Sequence, residues 1–107
     1  MSAKKTTGPV FLRYVAPMVA TLRELGNSGT PSEVTDRVIE RLRVSEREQE
    51  QTTSNGQLRV RNQIAWARFY LVKAGYVDAS RRGVWGLTDA GRKADLDDRE
   101  AVLAMFK

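Results

Sequence analysis

After a polar start, the chain places apolar residues at the spacing of an amphipathic helix. Within residues 9–25 these are Leu12, Val15, Val19, Leu22 and Leu25. Intervals of three and four residues put them on one helical face. Pro17 removes an intrahelical hydrogen bond, so a kink or a restart is expected there. Gly26 and Asn27 predict the end of this first helix.

A second helix is predicted over residues 30–45, where capping residues precede an apolar stripe. Thr30 stands at the N-cap, Pro31 at the first helical position and Glu33 three residues after the cap, which is the spacing of a capping box. The stripe consists of Val34, Val38 and Leu42. Residues 45–57 repeat the cap spacing with Ser45 and Glu48 but contain no apolar residue. They predict a short exposed helical turn and a loop.

The third predicted helix, residues 58–75, has two different faces. One face carries Val60, Ile64, Ala67, Leu71 and Ala74 at helical spacing. Roughly the opposite arc carries Arg61, Asn62, Ala65, Arg68, Phe69 and Lys73. Gly75 follows at the position of a helix C-cap. One face therefore suits a hydrophobic core, and the other is basic and polar.

Residues 76–80 and 84–88 are predicted to pair as antiparallel strands. They flank Arg81-Arg82-Gly83, a three-residue link in which Gly commonly supplies the positive φ of a hairpin loop. A polar turn capped by Thr88 follows, and then a last helix with three apolar residues. These are Val102, Leu103 and Phe106. They need a partner, for which the alternatives are the body of the domain, a second copy in a homodimer, or a downstream segment.

Composition narrows the chemistry that is open to this chain. With 107 residues and 41% hydrophobic content, it suits one compact domain. It contains no histidine and no cysteine, which excludes disulfides, cysteine-based zinc sites and the commonest general base. We therefore assign no catalytic residue, no metal site and no cofactor. No apolar run is long enough to span a membrane and the start lacks the pattern of a secretory signal, so a cytoplasmic protein without a membrane partner is expected.

The net charge of +5 is concentrated in one part of the chain. Residues 58–86 contain six basic residues and one acidic residue, whereas residues 31–57 contain four basic and six acidic residues. This basic segment coincides with the third helix and the hairpin. A concentrated basic segment on an otherwise mildly charged body is typical of a nucleic-acid-binding surface.

The order of elements predicts a mainly α fold with a small β-hairpin, the winged helix-turn-helix. It would have a three-helix core, a β-hairpin wing and an extra C-terminal helix. The expected organisation is a flexible basic start (1–8), a winged-helix DNA-binding domain (9–94) and a C-terminal helix or linker (95–107). In this architecture the third helix enters the major groove of double-stranded DNA, and the wing reaches an adjacent groove or the backbone.

The candidate DNA-binding residues follow from that placement. From the third helix they are Arg59, Arg61, Asn62, Ala65, Arg68 and Lys73, and from the wing Arg81, Arg82 and Gly83. Arg suits guanine O6 and N7, Asn suits adenine, and Ala leaves room for a thymine methyl group. The alternative is a set of charged surfaces that face water. For Arg68 a structural ion pair with Asp78 or with a carboxylate of the second helix is also open.

Three aromatic residues have two interpretations each. Phe69 falls on the outer arc and either packs under the wing or the second helix, or contacts a base. Trp66 and Trp85 either form an aromatic cage for a modified base or pack in the core. Core packing is favoured for all three, because Trp66 borders the core face and Trp85 lies on a strand that must cover the third helix.

Residues 62–92 resemble the N-terminal winged-helix domain of Mrr-type restriction endonucleases. That family has a Trp-Ala-Arg-x-Tyr-Leu helix ending in Lys-Ala-Gly, and an Arg-Gly-Val-Trp-x-Leu-Thr hairpin closed by a Gly-Arg turn. The matching residues are Trp66, Ala67, Arg68, Tyr70, Leu71, Lys73, Ala74, Gly75, Arg82, Gly83, Val84, Trp85, Leu87, Thr88, Gly91 and Arg92. A weaker similarity runs through residues 11–45, where the spacing of the helices agrees.

The resemblance implies recognition of DNA, often methylated or otherwise modified, by a domain whose nuclease partner lies downstream in the same chain. Such a nuclease needs an Asp followed by an Asp/Glu-x-Lys triplet to hold Mg²⁺ and position water. No such triplet occurs in this sequence, so we expect no cleavage by these residues alone. The alternatives are a free-standing dimeric winged-helix transcriptional regulator and a winged-helix protein–protein interaction module.

Overall fold

A computed structural model describes residues 10–96 and residue 102 of the chain. Its α-helices are α1 (Val15–Glu24), α2 (Pro31–Arg41), α3 (Glu46–Glu50), α4 (Arg59–Lys73) and α5 (Asp89–Lys93), and a 3-10 helix (Val10–Tyr14) directly precedes α1. Three short strands, β1 (Ser28–Gly29), β2 (Val77–Asp78) and β3 (Trp85–Leu87), form one antiparallel sheet in the order β1-β3-β2. The predicted mainly helical fold with a small sheet is confirmed, and it is compatible with a winged helix-turn-helix.

The first predicted helix is interrupted, but two residues earlier than Pro17. The 3-10 helix ends at Tyr14 and α1 starts at Val15, which places Pro17 in the first turn. Backbone N–H groups of the first turn have no intrahelical acceptor, so the missing N–H of proline costs no hydrogen bond there. The predicted end is confirmed, because Gly26 and Asn27 both adopt positive φ, at 84° and 77°.

Side-chain caps start the next two helices, as their sequences predict. The Thr30 hydroxyl accepts a hydrogen bond from the Glu33 backbone N–H at 3.1 Å. Ser45 does the same for Glu48, also at 3.1 Å. The second helix ends at Arg41, earlier than predicted, and Arg43 then turns the chain with a φ of 53°.

The hydrophobic core lies between α1, α2 and α4. Its fully buried side chains include Tyr14, Val15, Met18 and Leu22, then Val34 and Val38, and Val60, Ile64, Ala67 and Leu71. The last four are the apolar face that the helical spacing predicts for α4. Burial of each large aliphatic side chain contributes roughly 1.5–3 kcal/mol. The core therefore fixes which face of α4 is turned outwards.

The sheet differs from the predicted hairpin in two respects. In the register of β2 and β3, Val77 is opposite Leu87 and Asp78 is opposite Gly86. The predicted antiparallel pairing is confirmed, and its register is the one that a link of residues 81–83 implies. The strands are shorter than predicted, so the connection consists of the six residues 79–84 rather than three. The second difference is β1, which sequence reasoning missed and which pairs Ser28 with Gly86. β3 is the central strand. It pairs on one side with β1, which precedes α2, and on the other side with β2.

A small hydrogen-bonded unit, which we name the hairpin closure (Gly75, Tyr76, Thr88 and Gly91), fixes the end of α4 against the start of α5. The Thr88 hydroxyl donates to the Gly75 carbonyl at 2.6 Å and accepts from the Gly91 N–H at 3.0 Å. The Thr88 N–H donates to the Tyr76 carbonyl at 3.1 Å. A Cβ atom at Gly91 would lie 2.0 Å from the Tyr76 carbonyl oxygen, so this position requires glycine.

The chain beyond α5 is only partly described. Leu96 and Val102 are buried and belong to the core cluster. For Val102, the body of the domain is therefore the partner, rather than a second copy. Leu103 and Phe106, the basic start (1–8) and most of the C-terminal segment (95–107) lie outside the described residues.

Candidate nucleic-acid interface

The outer face of α4 forms a shallow groove. Side chains three or four positions apart along this helix point away from the core, and two of them are large and apolar. Trp66 is 46% exposed and Phe69 is 41% exposed. An open groove of about 290 Å³, which we name the α4 groove, is lined by Asn62, Ala65, Trp66, Arg68 and Phe69.

The prediction that Trp66 and Phe69 pack in the core was wrong. The core side of Trp66 is filled by Phe11 of the 3-10 helix, whose ring stacks on Trp66 at 6.4 Å, and by Tyr70 at 6.2 Å. Trp66 therefore lies at the outer edge of the aromatic cluster that it forms with Phe11 and Tyr70. Phe69 meets it edge-on, with ring centroids 5.6 Å apart and planes at 81°. The two rings form adjoining walls of the α4 groove.

Arg68 connects the α4 groove with the sheet. Its guanidinium carbon lies 5.7 Å from the ring centroid of Trp85 in β3, which is a cation–π contact. Trp85 is partly buried against the core, so its packing prediction is confirmed in part. The described part of the chain shows no ion pair between Arg68 and Asp78 or an α2 carboxylate, and the Arg68 Nε atom is buried without a hydrogen-bond partner there.

The other predicted cations of α4 lie around the groove. Arg61 donates to Asp36 of α2 at 2.8 Å, with both side chains about half exposed. Such a surface pair contributes about 0–1 kcal/mol, so it restrains Arg61 only weakly. The Lys73 ammonium lies 5.9 Å from the Phe69 ring. Arg59 is exposed at the first position of α4.

The loop of residues 79–84 carries the predicted wing cations. Arg81 and Arg82 are both exposed, and Gly83 has a φ of 75°, which confirms that glycine supplies the positive φ of the turn. At the base of the loop, the Ser80 N–H donates to Asp78 at 2.9 Å. Hydrogen bonds from the Ser80 hydroxyl and N–H, and to a smaller extent the charge of Arg81, hold the pKa of the Asp78 carboxyl below its ordinary value.

Ion pairs engage some of the basic residues and leave others without an acidic partner among the described residues. On the side of α1, α2 and α3, Arg13 pairs with Glu48 and Arg41 with Glu24. In contrast, within the described ranges no ion pair engages Arg59, Lys73, Arg81 or Arg82. On the first side, Arg37, Arg43 and Arg47 are likewise in no ion pair among the described residues, and on α4 Arg61 pairs with Asp36. Of the predicted site cations, Arg61 therefore has an acidic partner in the described part of the chain, and the others have none there.

Two structural features are absent from the described residues. No three His, Cys, Asp or Glu side chains among residues 10–96 and 102 come together in a way that could hold a metal ion. In the same residues, no helix combines the length and the apolar character that crossing a membrane requires.

The mainly helical fold with its small sheet is compatible with the winged helix that the resemblance implies. The sequence profile of the Mrr N-terminal domain matches residues 11–96, and the chain belongs to this family. It is similar to the type IV methyl-directed restriction enzyme EcoKMrr of Escherichia coli K12, with 26% identity over 85 residues. That alignment covers 79% of this chain but 28% of the enzyme, so the chain spans less than a third of its relative. No solved structure matches the chain.

Proposed function

We propose that this domain binds double-stranded DNA as the target-recognition part of an Mrr-like restriction system. One observation carries the proposal: an exposed groove on α4 lies beside cations that have no acidic partner among the described residues. Arg68 belongs to both parts, since it lines the groove and rests on Trp85 of the hairpin. The width of a DNA major groove admits an α-helix.

In this proposal the predicted site residues divide into three roles. Arg59, Arg61 and Lys73 bind phosphates along α4, whereas Asn62, Ala65 and Arg68 face base edges. Arg81, Arg82 and Gly83 form the tip of the wing, where the arginines reach the backbone or the minor groove. The binding unit is the domain predicted over residues 9–94, together with Leu96 and Val102, which pack in its core. Cleavage is assigned to another part of a longer enzyme, because the family is the N-terminal domain of a nuclease.

The test is fluorescence anisotropy of a labelled duplex titrated with the protein at several salt concentrations. With four to six phosphate contacts, the logarithm of affinity is expected to fall by about four to five per tenfold increase in salt. Arg81→Ala/Arg82→Ala is expected to weaken binding at low salt and to reduce this slope by about two.

A matched variant controls for the loss of total charge. Arg37→Ala/Arg47→Ala also removes two exposed arginines, but from α2 and α3 rather than from the wing. It is expected to leave the salt slope nearly unchanged. Absence of salt-dependent binding by the unmodified protein would overturn the proposal, and equal effects of the two double variants would overturn the role of the wing.

The exposure of Trp66 and Phe69 favours a second candidate function, the protein–protein interaction module. Large exposed apolar side chains that adjoin each other mark interaction sites. This candidate predicts that the wing arginines are dispensable for function and that Phe69→Ala removes it. The dimeric regulator has no such support, since Val102, one of the three residues considered for its dimer interface, is buried in the domain core.

A further inference from the structure

Arg61 differs from the other predicted site cations, because an acidic side chain holds it. Its Nη2 atom donates a hydrogen bond to Oδ1 of Asp36 in α2 at 2.8 Å. The two side chains are 45% and 60% exposed, so the pair lies where a bound duplex can reach it. The other predicted site cations have no acidic partner among the described residues. Asp36 therefore acts directly on one predicted phosphate contact.

Asp36 belongs to a largely acidic face of α2. The exposed positions of this helix beyond its first turn follow the spacing i, i+3, i+4 and i+7, which places them on one side. They are Glu33, Asp36, Arg37 and Glu40, three carboxylates and one guanidinium. Because Asp36 contacts Arg61, the third residue of α4, this acidic face borders the start of α4.

Arg61 lies on the face of α4 that carries the groove. Arg61, Ala65 and Arg68 follow at i, i+4 and i+7, and the last two line the α4 groove. A duplex seated on this face brings phosphates close to Arg61, and a guanidinium binds phosphate oxygens in the same way as carboxylate oxygens. A phosphate bound there would lie within a few ångströms of Asp36, and the two negative charges would repel each other. The carboxylate and the phosphate therefore compete for one guanidinium.

The strength of the pair determines what this competition does. An exposed ion pair is weak, so DNA can displace Asp36 at a small cost. A cation that binds a phosphate releases a counterion from the DNA. When Arg61 leaves Asp36, however, the freed carboxylate attracts a cation from the solution and offsets that release. Arg61 therefore adds less to affinity and to salt dependence than an unpaired arginine at the same place would.

We propose that Asp36 competes with DNA phosphate for Arg61 and thereby lowers the affinity of the domain for duplex DNA. The proposal rests on the proposed DNA-binding function and adds to it a residue of α2 that limits affinity. Phosphate contacts carry no sequence information, so the effect of Asp36 is the same for duplexes of different sequence.

The first experiment measures the anisotropy of a labelled random-sequence duplex at several salt concentrations. Asp36→Asn is expected to bind about fivefold more tightly than the unmodified protein at low salt. Its salt slope is expected to be steeper by about one, because Arg61 then binds its phosphate without releasing a carboxylate. Glu40→Gln is the matched control, since it removes the same charge one turn further along the same face but has no contact with Arg61. It is expected to tighten binding by less than about twofold.

A double-mutant cycle distinguishes competition from a general effect of charge. Arg61→Ala is made in the unmodified protein and in the Asp36→Asn background. If Asp36 competes with phosphate, the loss of affinity caused by Arg61→Ala is about fivefold larger in the Asp36→Asn background. Equal losses in the two backgrounds would show that the two charges act independently, and would overturn the proposal.

A second variant at the same position guards against a folding defect. Asp36→Ala also removes the carboxylate, and alanine has the higher helix propensity. It is expected to bind DNA as tightly as Asp36→Asn. Because the ion pair is exposed, the melting temperatures of both variants are expected to lie within about 4 °C of that of the unmodified protein.

The outcomes separate this inference from the proposed function. If the unmodified protein binds the duplex but neither Asp36 variant binds more tightly, the inference is wrong and DNA binding stands. The same conclusion follows if Glu40→Gln tightens binding as much as Asp36→Asn does. Absence of binding by the unmodified protein and by both Asp36 variants at low salt overturns DNA binding itself, and this inference with it.

Discussion

The hairpin closure and the α4 groove lie at neighbouring places in the fold but use their residues in opposite ways. In the hairpin closure every polar group of Thr88 has a partner inside the domain, and Gly91 has no room for a side chain. In the α4 groove, Trp66 and Phe69 are almost half exposed and Asn62 faces outwards into the groove. The hairpin closure therefore makes its contacts within the domain, whereas the side chains of the α4 groove are exposed to a binding partner.

The comparison of these two regions shows which parts of the molecule the family resemblance covers. Several residues that match the family pattern, including Gly75, Thr88 and Gly91, belong to the hairpin closure and hold the chain in its fold. Trp66 and Arg68 of the α4 groove and Arg82 of the loop also match the pattern. Asn62, Phe69 and Arg81 do not match it. The likeness therefore covers the architecture and part of the candidate interface, and it does not specify a particular DNA sequence.

The largest loss of stability is expected from Gly91→Ala, which changes a residue of the hairpin closure. The added Cβ would meet the Tyr76 carbonyl, so the closure must open, at a cost of about 3 kcal/mol or more in the free energy of unfolding. Urea denaturation measures it. Gly86→Ala is the matched control, because its Cβ would find its nearest neighbour at 3.7 Å. Similar destabilisation by both changes would contradict the close approach at Gly91.

A smaller loss is expected from Thr88→Ala. The change removes the acceptor of the Gly91 N–H and the donor to the Gly75 carbonyl, for an expected loss of about 1–2 kcal/mol in stability. Thr88→Ser retains the hydroxyl and should recover most of that loss. Thermal unfolding of the three proteins checks this order, and a serine variant as unstable as the alanine variant would refute the role of the hydroxyl.

Tyr14→Phe is expected to stabilise the domain by about 1 kcal/mol, because the Tyr14 hydroxyl is buried without a hydrogen-bond partner among the described residues. Burial, opposed in part by Arg13, raises the pKa of Tyr14 above its ordinary 10.0. The folded state therefore favours the protonated phenol, and its contribution to stability is lost as pH rises above about 10. Melting temperatures at pH 7 and through the alkaline range test both points, and an unchanged alkaline profile in the variant would contradict them.

The smallest effect on stability is expected from the double change in the loop, which is expected to weaken DNA binding. Arg81→Ala/Arg82→Ala changes an exposed loop whose arginines have no ion pair among the described residues, so unfolding free energy should change by less than about 0.5 kcal/mol. Denaturation of the same preparation used for anisotropy measures it. Marked destabilisation would mean that the loop also stabilises the fold, as the hairpin closure does, and would contradict this prediction.

Local signals in the sequence predicted much of this fold. The spacing of Val60, Ile64 and Leu71 identified the buried face of α4, and Thr30 and Ser45 identified two helix starts. These features depend on residues a few positions apart. The predicted site residues of α4 and of the loop are exposed or partly exposed, and their contacts with DNA stay a prediction.

Features that depend on distant contacts were not predictable. Ser28 and Gly29 have no strand propensity and pair with β3 because Gly26 and Asn27 turn the chain towards it. Trp66 borders the apolar face by helical spacing, but its exposure depends on the ring of Phe11 in another element. Likewise, nothing near Arg61 in the sequence indicates its ion pair with Asp36.

The pairing of β1 with β3 has a consequence for folding kinetics. The helical turns form from residues close in sequence, whereas the central strand must find a partner that lies before α2. Contacts between distant segments carry a loop-closure cost and slow folding relative to helical bundles. On the ribosome, the sheet cannot close until Trp85–Leu87 have left the exit tunnel. Until then, β1 has no strand to pair with. The sheet can therefore form only after nearly all of the described chain has left the tunnel.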